Sequence, residues 1–140
     1  MDTTEMTEKK LWQSIDGSVL KSLPNAARGY EQKIAVPEFT FLGVCNQPDF
    51  GEIQIWFHGG DKTIELKSLK EYLFQYRDTI ISYERALDVM YKHMMDAFEP
   101  DRLRIEIDFM PRGGIRSKMT VDSDWEHLGG KGEMWRFHGE

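Results

Sequence analysis

The chain of 140 residues has the size of one domain, and its 40% hydrophobic and 30% charged residues are typical of a soluble globular protein. Its formal net charge of -6 argues against a general nucleic-acid coat or an anionic membrane as partner, since both require a basic surface. A single cysteine excludes an internal disulfide, and a polar, acidic beginning with no long apolar run predicts a cytoplasmic protein without a membrane span.

The first stretch, residues 1–35, has few periodic apolar positions and is interrupted by Gly17, Pro24 and Gly29. We expect it to be an arm that packs against something else. From Glu38 the character changes, because FTFLGV is rich in aromatic and β-branched side chains and predicts a strand.

A second strand is predicted for EIQIWFH, at residues 52–58, where alternation places Ile53, Ile55 and Phe57 on one face. Residues 46–51 would connect the two strands. The stretch GGDK then turns the chain.

Two amphipathic helices follow. Leu66, Leu69 and Leu73 recur at spacings of three and four, which predicts a helix ending near Asp78. Ser82 is a candidate N-cap for the second helix, which we expect Pro100 to end. Its periodic positions are Tyr83, Leu87, Met90, Met94 and Phe98.

The segment RLRIEIDF, at residues 102–109, alternates charged and apolar side chains and predicts a half-exposed strand. A Pro-Gly-rich turn leads to a last strand, GIRSKMTVD. The order strand, strand, helix, helix, strand, strand predicts an α+β fold with an antiparallel sheet and two helices on one face. We therefore expect an arm (1–35), an α+β domain (36–122) and a polar tail (123–140). The charged sheet face is expected to be wet or to line a channel between subunits.

Cys45 and Asp49 are the first candidates for catalysis. A thiol becomes a useful nucleophile when a neighbour lowers its pKa or takes its proton, and a nearby carboxyl group can return that proton. A lone cysteine at a strand end is also commonly a small buried residue. The residue pattern alone favours the second interpretation and leaves both open.

Glu65 and Glu84 are the second candidates. A carboxylate that faces a pocket can accept two parallel hydrogen bonds, from a ring N–H and an amino group such as a guanine-like edge offers. The alternative is a solvated carboxylate, which for Glu84 in a first helical turn is also favoured by the helix dipole. The pattern alone favours this alternative.

Two groups of cations could bind phosphate: Lys67 and Lys70 on one helix face, and Arg112 and Arg116 around a glycine pair. The alternative is a solvated helix face and a tight hairpin, which the pattern alone favours. The four histidines lack the spacing of metal ligands, so no zinc site is expected.

Several blocks of the sequence, taken together, resemble one family. These are EFT at 38–40, QPDF at 47–50, IELKSLKEYL at 64–73, YR at 76–77, the Glu at 84 and FMPRGGI at 109–115. They are similar to the NADPH-dependent 7-cyano-7-deazaguanine reductases, the QueF family, in family order over about residues 36–120.

This resemblance implies a tunnelling fold (T-fold), in which ββααββ units form homo-oligomeric rings with a barrel of sheets and sites between subunits. It implies reduction of the nitrile of 7-cyano-7-deazaguanine to an aminomethyl group with two hydrides from NADPH, a step toward queuosine in tRNA. In the family, a cysteine adds to the nitrile to give a thioimide and an aspartate supplies a proton. The implied partners are a small deazapurine and further copies of the chain, while the net charge of -6 and the lack of a long apolar run argue against nucleic acid and a membrane.

Carried over residue by residue, the resemblance assigns the proton donor to Asp49 and the displaced nucleophile to Cys45. It assigns substrate contacts to Ile64, Glu65, Leu66, Tyr83 and Glu84. It assigns positions near the cofactor phosphates to Lys67, Lys70 and Arg112. It implies no metal.

The chain departs from the family pattern E-F-T-x-x-C-P-x-T-G-Q-P-D-F in two places. EFTFLGVCNQPDF is one residue shorter, so the usual nucleophile position holds Gly43 or Leu42, depending on the end from which it is counted. Tyr83 stands where the family usually has histidine. Either the shortened loop brings Cys45 to the nitrile carbon, or thioimide chemistry is absent.

Two rival functions remain open. One is an amidinotransferase-type enzyme acting on the nitrile in tRNA, as archaeal QueF-like relatives do, which would need a basic face for RNA. The other is a deazapurine-binding module without catalysis, which would keep Glu65 and Glu84 and not use the thiol.

Overall fold

The computed structural model describes residues 10–133. The strands are β1 (Lys10–Leu11), β2 (Ser22–Pro24), β3 (Gln32–Leu42), β4 (Pro48–His58), β5 (Lys62–Ile64), β6 (Thr79–Ile80), β7 (Arg102–Arg112) and β8 (Ile115–Asp122). The α-helices are α1 (Leu66–Phe74) and α2 (Tyr83–Phe98). Short 3-10 helices lie at Trp12–Ser14, Gly17–Val19, Gln75–Asp78 and Glu126–Leu128.

Six strands form one sheet in the order β1-β6-β3-β4-β7-β8, and β2 pairs with β5 in a small second sheet. The long strands β3, β4, β7 and β8 pair antiparallel, whereas β1 and β3 each pair parallel with β6 at one edge. The sheet and the two α-helices confirm the predicted α+β class.

The core lies between the helices and one face of this sheet. Period-two alternation directs the apolar side chains of β4 and β7 to that face, as predicted. The buried sheet residues include Phe39, Phe41, Ile53, Ile55, Phe57, Leu103, Ile105, Ile107 and Phe109. They pack against Leu69, Tyr72, Leu87, Met90, Met94 and Phe98 from the helical layer.

Strand β4 begins earlier than expected. It starts at Pro48, so the prediction that residues 46–51 form the connection is wrong from that residue onward. Proline is compatible with the first residue of a strand, because its missing N–H is least costly there. The consequence for function is that Asp49 projects from a regular strand and not from a loop.

The helix ends follow the predicted signals. The Ser82 side chain accepts a hydrogen bond from the Arg85 backbone N–H and caps α2. The helix ends at Phe98, where Glu99 adopts a left-handed conformation ahead of Pro100. Helix α1 continues into a 3-10 turn that ends at Asp78, as expected.

The opposite sheet face carries charge pairs across β7 and β8. Asp108 pairs with Arg116, and Glu106 lies 3.4 Å from Lys118. The alternating residues of β7 on this face are half-buried, which agrees with the predicted half-exposed strand. That this face lines a channel between subunits stays a prediction.

The N-terminal segment contains structure that the sequence did not predict. Strands β1 and β2 lie within it, and Ile15 and Leu20 are buried in the core. Strand β3 already begins at Gln32. The division into arm, domain and tail stays a prediction, and residues 1–9 and 134–140 of the proposed arm and tail lie outside the described residues. Along residues 10–133, no helix combines the length and apolar composition needed to cross a membrane.

Candidate functional site

A pocket of about 320 Å³ opens where β4 begins and α2 starts. The β3–β4 turn, the linker before α2 and the end of β7 each contribute part of its wall. The lining residues are Gly43, Val44, Cys45, Gln47, Asp49, Ile81, Ser82, Tyr83, Glu84 and Arg112. Five residues singled out from the sequence therefore meet in one place: Cys45, Asp49, Tyr83, Glu84 and Arg112.

Asp49 is the buried acid of this pocket, with 5% of its surface exposed. It lies on the core-facing side of β4, opposite Phe41. Its Oδ1 accepts a hydrogen bond from the Phe50 N–H at 3.0 Å, and its Oδ2 accepts one from the Tyr83 hydroxyl at 2.9 Å. A buried carboxylate needs such donors, and here they also fix its orientation.

Tyr83 is the first residue of α2, so its backbone position follows from the Ser82 cap. Its ring stacks on Phe109, with 3.9 Å between ring centroids and 7° between ring planes. Burial, together with the hydrogen bond to Asp49, raises the pKa of the Tyr83 phenol. The phenol therefore keeps its proton near neutral pH, whereas an imidazole, usual at this position in the family that the sequence resembles, titrates near that range.

Cys45 lies in the turn between β3 and β4 and is exposed. The turn is closed by hydrogen bonds from Asn46 N–H to the Gly43 carbonyl and from Gly43 N–H to the Gln47 carbonyl. Asn46 takes a positive φ of 62°, a conformation that asparagine tolerates better than most residues. The thiol thus lines the same pocket as Asp49 and is not turned into the core.

Arg112 joins the two sides of the pocket. Its Nη1 donates to Gln47 Oε1 at 2.9 Å, its Nη2 donates to the Pro48 carbonyl, and its Nε lies 3.5 Å from Asp49 Oδ1. The β7–β8 hairpin positions it, with Gly113 at a φ of 59° in the turn. The guanidinium thereby connects this hairpin to the start of β4.

Glu84 lies exposed in the first turn of α2, as the sequence predicted, and contributes a second carboxylate to the pocket wall. The pocket so combines a thiol, a buried carboxylate, an exposed carboxylate, a phenol and a guanidinium. This set can hold a small polar ring and deliver a proton to it.

The remaining predicted substrate residues lie elsewhere in the same chain. Ile64 is buried at the end of β5, Leu66 is exposed at the start of α1, and Glu65 between them caps α1 by accepting the Ser68 N–H. None of the three lines the Asp49 pocket.

The two lysines predicted to bind the cofactor lie on α1, whereas Arg112, predicted for the same role, lines the Asp49 pocket. Lys67 and Lys70 are exposed, and Lys70 borders an apolar groove of about 240 Å³ between β3 and α1. Lys70 and Arg77 both lie over the Phe74 ring, at 5.6 Å and 4.3 Å from its centroid. Sequence analysis did not single out Arg77 as a cation of this groove.

Five pocket residues were not singled out from the sequence as site residues: Gly43, Val44, Gln47, Ile81 and Ser82. Gln47 had a signal, because it belongs to the QPDF block. The contact of Tyr83 with Phe109 had no sequence signal, because it depends on how α2 crosses β7. Within residues 10–133, no group of three His, Cys, Asp or Glu side chains is arranged to hold a metal ion.

Comparison with known families identifies the chain. The family model described as QueF-like protein matches residues 48–127, more than half of the sequence. The chain belongs to the QueF family. The matched segment contains Asp49, Glu65, Tyr83, Glu84 and Arg112, but it begins three residues after Cys45.

Relatives within the QueF family are about one-third identical to the chain. The NADPH-dependent 7-cyano-7-deazaguanine reductase of Prochlorococcus marinus (strain MIT 9515) is 36% identical over 101 residues, which are 71% of this chain and 74% of the relative. The protein of that name from Aquifex aeolicus is 38% identical over 104 residues, covering 72% and 79% of the two chains. A similar fold occurs in the apo archaeosine synthase QueF-Like, with a TM-score of 0.61, 13% identity, and coverage of 69% of this chain and 95% of that one.

Proposed function

We propose that this QueF-family protein reduces the nitrile of 7-cyano-7-deazaguanine to the aminomethyl group with NADPH, a step toward queuosine in tRNA. The reductase names of relatives 36% and 38% identical support the reaction. The observation that carries the proposal for this chain is that Cys45, although displaced in sequence, lines the same pocket as Asp49 and Glu84.

The proposed covalent step is addition of the Cys45 thiol across the nitrile. A C–S bond forms at the nitrile carbon as one C–N π bond opens, and the nitrogen gains a proton in exchange for the proton lost from sulfur. Asp49 takes the proton from the thiol and passes it to the nitrogen. Donors on both of its oxygens would hold the carboxyl group in the orientation this transfer needs.

The guanine-like edge of the base is proposed to bind the Glu84 carboxylate, which can accept from a ring N–H and an amino group together. Ile64, Glu65 and Leu66 are proposed to contact the base as well. Because none of them lines the pocket of their own chain, we assign them to the site of a neighbouring copy. This arrangement goes with the proposed T-fold homo-oligomer, whose sites lie between subunits.

The groove beside α1 is the proposed place for part of the NADPH molecule. Leu69 and Leu73 give it an apolar wall, and Lys70 and Arg77 place cations at its edge. We propose that Lys67 and Lys70 hold the phosphates of NADPH, while Arg112, which faces the Asp49 pocket, would serve a cofactor that reaches across to it. NADPH when bound supplies the hydrides that the reduction requires.

A covalent adduct on Cys45 tests the proposal. Incubation of the protein with 7-cyano-7-deazaguanine in the absence of NADPH should add the mass of the base to the peptide containing Cys45, as observed by mass spectrometry. Cys45→Ala should abolish the adduct and the consumption of NADPH while leaving base binding. Asp49→Asn should also abolish NADPH consumption. Undiminished turnover by Cys45→Ala would show that the covalent step is wrong.

A second candidate is a deazapurine-binding module without catalysis. It is favoured by one observation: the family match begins at Pro48, so the turn that carries Cys45 lies outside it. Tight binding of the base with neither adduct nor NADPH consumption would establish this function. Salt-dependent binding of tRNA, with chemistry on a nitrile already in the tRNA, would instead indicate the amidinotransferase-type activity.

A further inference from the structure

One wall of the pocket is a short connection between the helices. Residues Ile81, Ser82, Tyr83 and Glu84 line the pocket and follow directly after β6, a strand of only two residues. Directly after β6, the Ile81 N–H donates to the carbonyl of Leu42, the last residue of β3, at 2.9 Å. So short a strand is marginal by itself and depends on its neighbours for its position.

The N-terminal segment supports this connection on its outer side. Strand β1 pairs in parallel with β6, with Lys10 opposite Thr79 and Leu11 opposite Ile80. The next residue, Trp12, is partly buried against the core, and the Arg85 guanidinium lies 4.3 Å from the centroid of its ring. Arg85 immediately follows the pocket residue Glu84.

The same segment is fixed before the connection as well as after it. Asp16 N–H donates to Gln75 Oε1 at 2.8 Å, and Gln75 Nε2 donates to the Asp16 carbonyl at 3.0 Å. Ile15, which lies between Trp12 and Asp16 in the chain, is buried in the core. Residues 10–16 therefore touch the chain at Gln75, along β6 and at Arg85, on both sides of the pocket wall.

We propose that residues 10–16 form a positioning clip for the base pocket. The clip holds β6 against β3 and so fixes where α2 begins, which sets the positions of Tyr83 and Glu84 relative to Asp49. It lies before the segment that matches the family model, so it is a feature of this chain beyond that match. The effect of the clip on ligand affinity rests on the proposed function. Its effect on how rigidly residues 81–84 are held does not.

Trp12→Ala in the full chain tests the clip. Loss of the ring should weaken binding of 7-cyano-7-deazaguanine about fivefold or more, because the wall samples positions in which Glu84 does not meet the base. Trp12→Phe should restore most of the affinity, since it retains a ring beneath Arg85. Tyr30→Ala is the matched control: Tyr30 is an exposed aromatic residue of the same N-terminal region, and its loss should leave affinity unchanged.

Hydrogen exchange of backbone amides tests the clip independently of the proposed function. In Trp12→Ala, and independently in Gln75→Ala, the backbone amides of residues 81–86 should exchange about fivefold or more faster than in the wild-type protein, with Tyr30→Ala again unchanged. If the wild-type protein does not bind the base, the proposed function fails and the exchange result alone decides the clip. Unchanged exchange in both variants would overturn it, whatever the affinity.

Discussion

Asp49 is buried, and three donor groups reach its carboxylate oxygens. Tyr83 occupies one carboxylate oxygen, and the Phe50 N–H and Arg112 approach the other. Losing one donor from a buried acceptor costs about 1 to 3 kcal/mol. The Tyr83 hydroxyl is therefore expected to matter for the orientation of Asp49 beyond any contact that it makes with substrate.

Tyr83→Phe tests this role. The phenylalanine ring retains the stacking on Phe109, so the fold and base affinity should be kept, while the rate of adduct formation on Cys45 should fall about tenfold as Asp49 loses its fixed orientation. Tyr30→Phe, at an exposed site, is the matched control and should react at the wild-type rate. An unchanged rate in Tyr83→Phe would show that Asp49 does not need the phenol.

The residues of the site were predictable only in part. Cys45 and Asp49 are close in the sequence and line one pocket, and whether they act together in catalysis stays a prediction. The hydrogen bond between Tyr83 and Asp49 joins residues 34 positions apart in the chain. It forms because α2 crosses the sheet at this point. No periodicity predicts such a crossing, which is why only the family resemblance indicated Tyr83 as a site residue.

At the scale of elements, the long strands and both helices were predictable because each repeats its apolar period several times. Strands β1, β2, β5 and β6 have two or three residues each and carry no period, so their pairing had no sequence signal. The same limit explains the error at β4, where residues 46–51 were predicted to be the connection although Pro48 opens the strand.

The contact of α2 with the N-terminal segment contains a titratable group. His93 packs beside Gly17, and its Nδ1 lies 2.7 Å from the Tyr72 hydroxyl, which in turn lies 2.8 Å from the Tyr76 hydroxyl. Burial lowers the pKa of His93 below its ordinary value of 6.5, and the carboxylates of Asp96 and Asp16 only partly oppose this. The folded protein therefore disfavours the protonated ring.

The stability of the fold should depend on pH through His93. The unfolded chain binds this proton more readily than the folded one, so the contribution of the neutral ring is complete above about pH 6.5 and is lost as the pH falls through and below that value. Urea unfolding at pH 5 and pH 7.5 should show a smaller difference in free energy for His93→Gln than for the wild-type protein. His127→Gln, at an exposed site, should retain the wild-type difference, and an equal loss in both variants would contradict the assignment to His93.

At the scale of the whole molecule, ion pairs weaken the positive electrostatic potential at the surface of the protein. Arg116 and Lys118 on β8 pair with carboxylates of β7, and Arg102 is bound to Asp122 at 2.9 Å. Cations paired in this way add little to a positive field. Together with a net charge of -6, this argues for the proposed deazapurine substrate over the alternative of tRNA.

The split between the two sets of predicted substrate residues has a consequence for the assembly. Cys45, Asp49 and Glu84 meet in one pocket, whereas Glu65 lies outside it at the start of α1. If Glu65 completes the site of a neighbouring copy, the two acidic side chains that hold the base belong to different chains. Variants in the two parts should then complement each other in mixed oligomers.

Cys45→Ala and Glu65→Gln are each expected to lack reductase activity, and glutamine keeps an oxygen that can cap α1. Refolding the two variants together in equal amounts should restore about a quarter of the wild-type turnover, because a quarter of randomly assembled sites receive an intact Cys45 chain beside an intact Glu65 chain. A mixture of Cys45→Ala with Asp49→Asn is the matched control. These two residues line one pocket of one chain, so no mixed site is intact and turnover should stay absent. Absence of turnover in the first mixture, with each variant shown to assemble normally, would place Glu65 in the site of its own chain or in none.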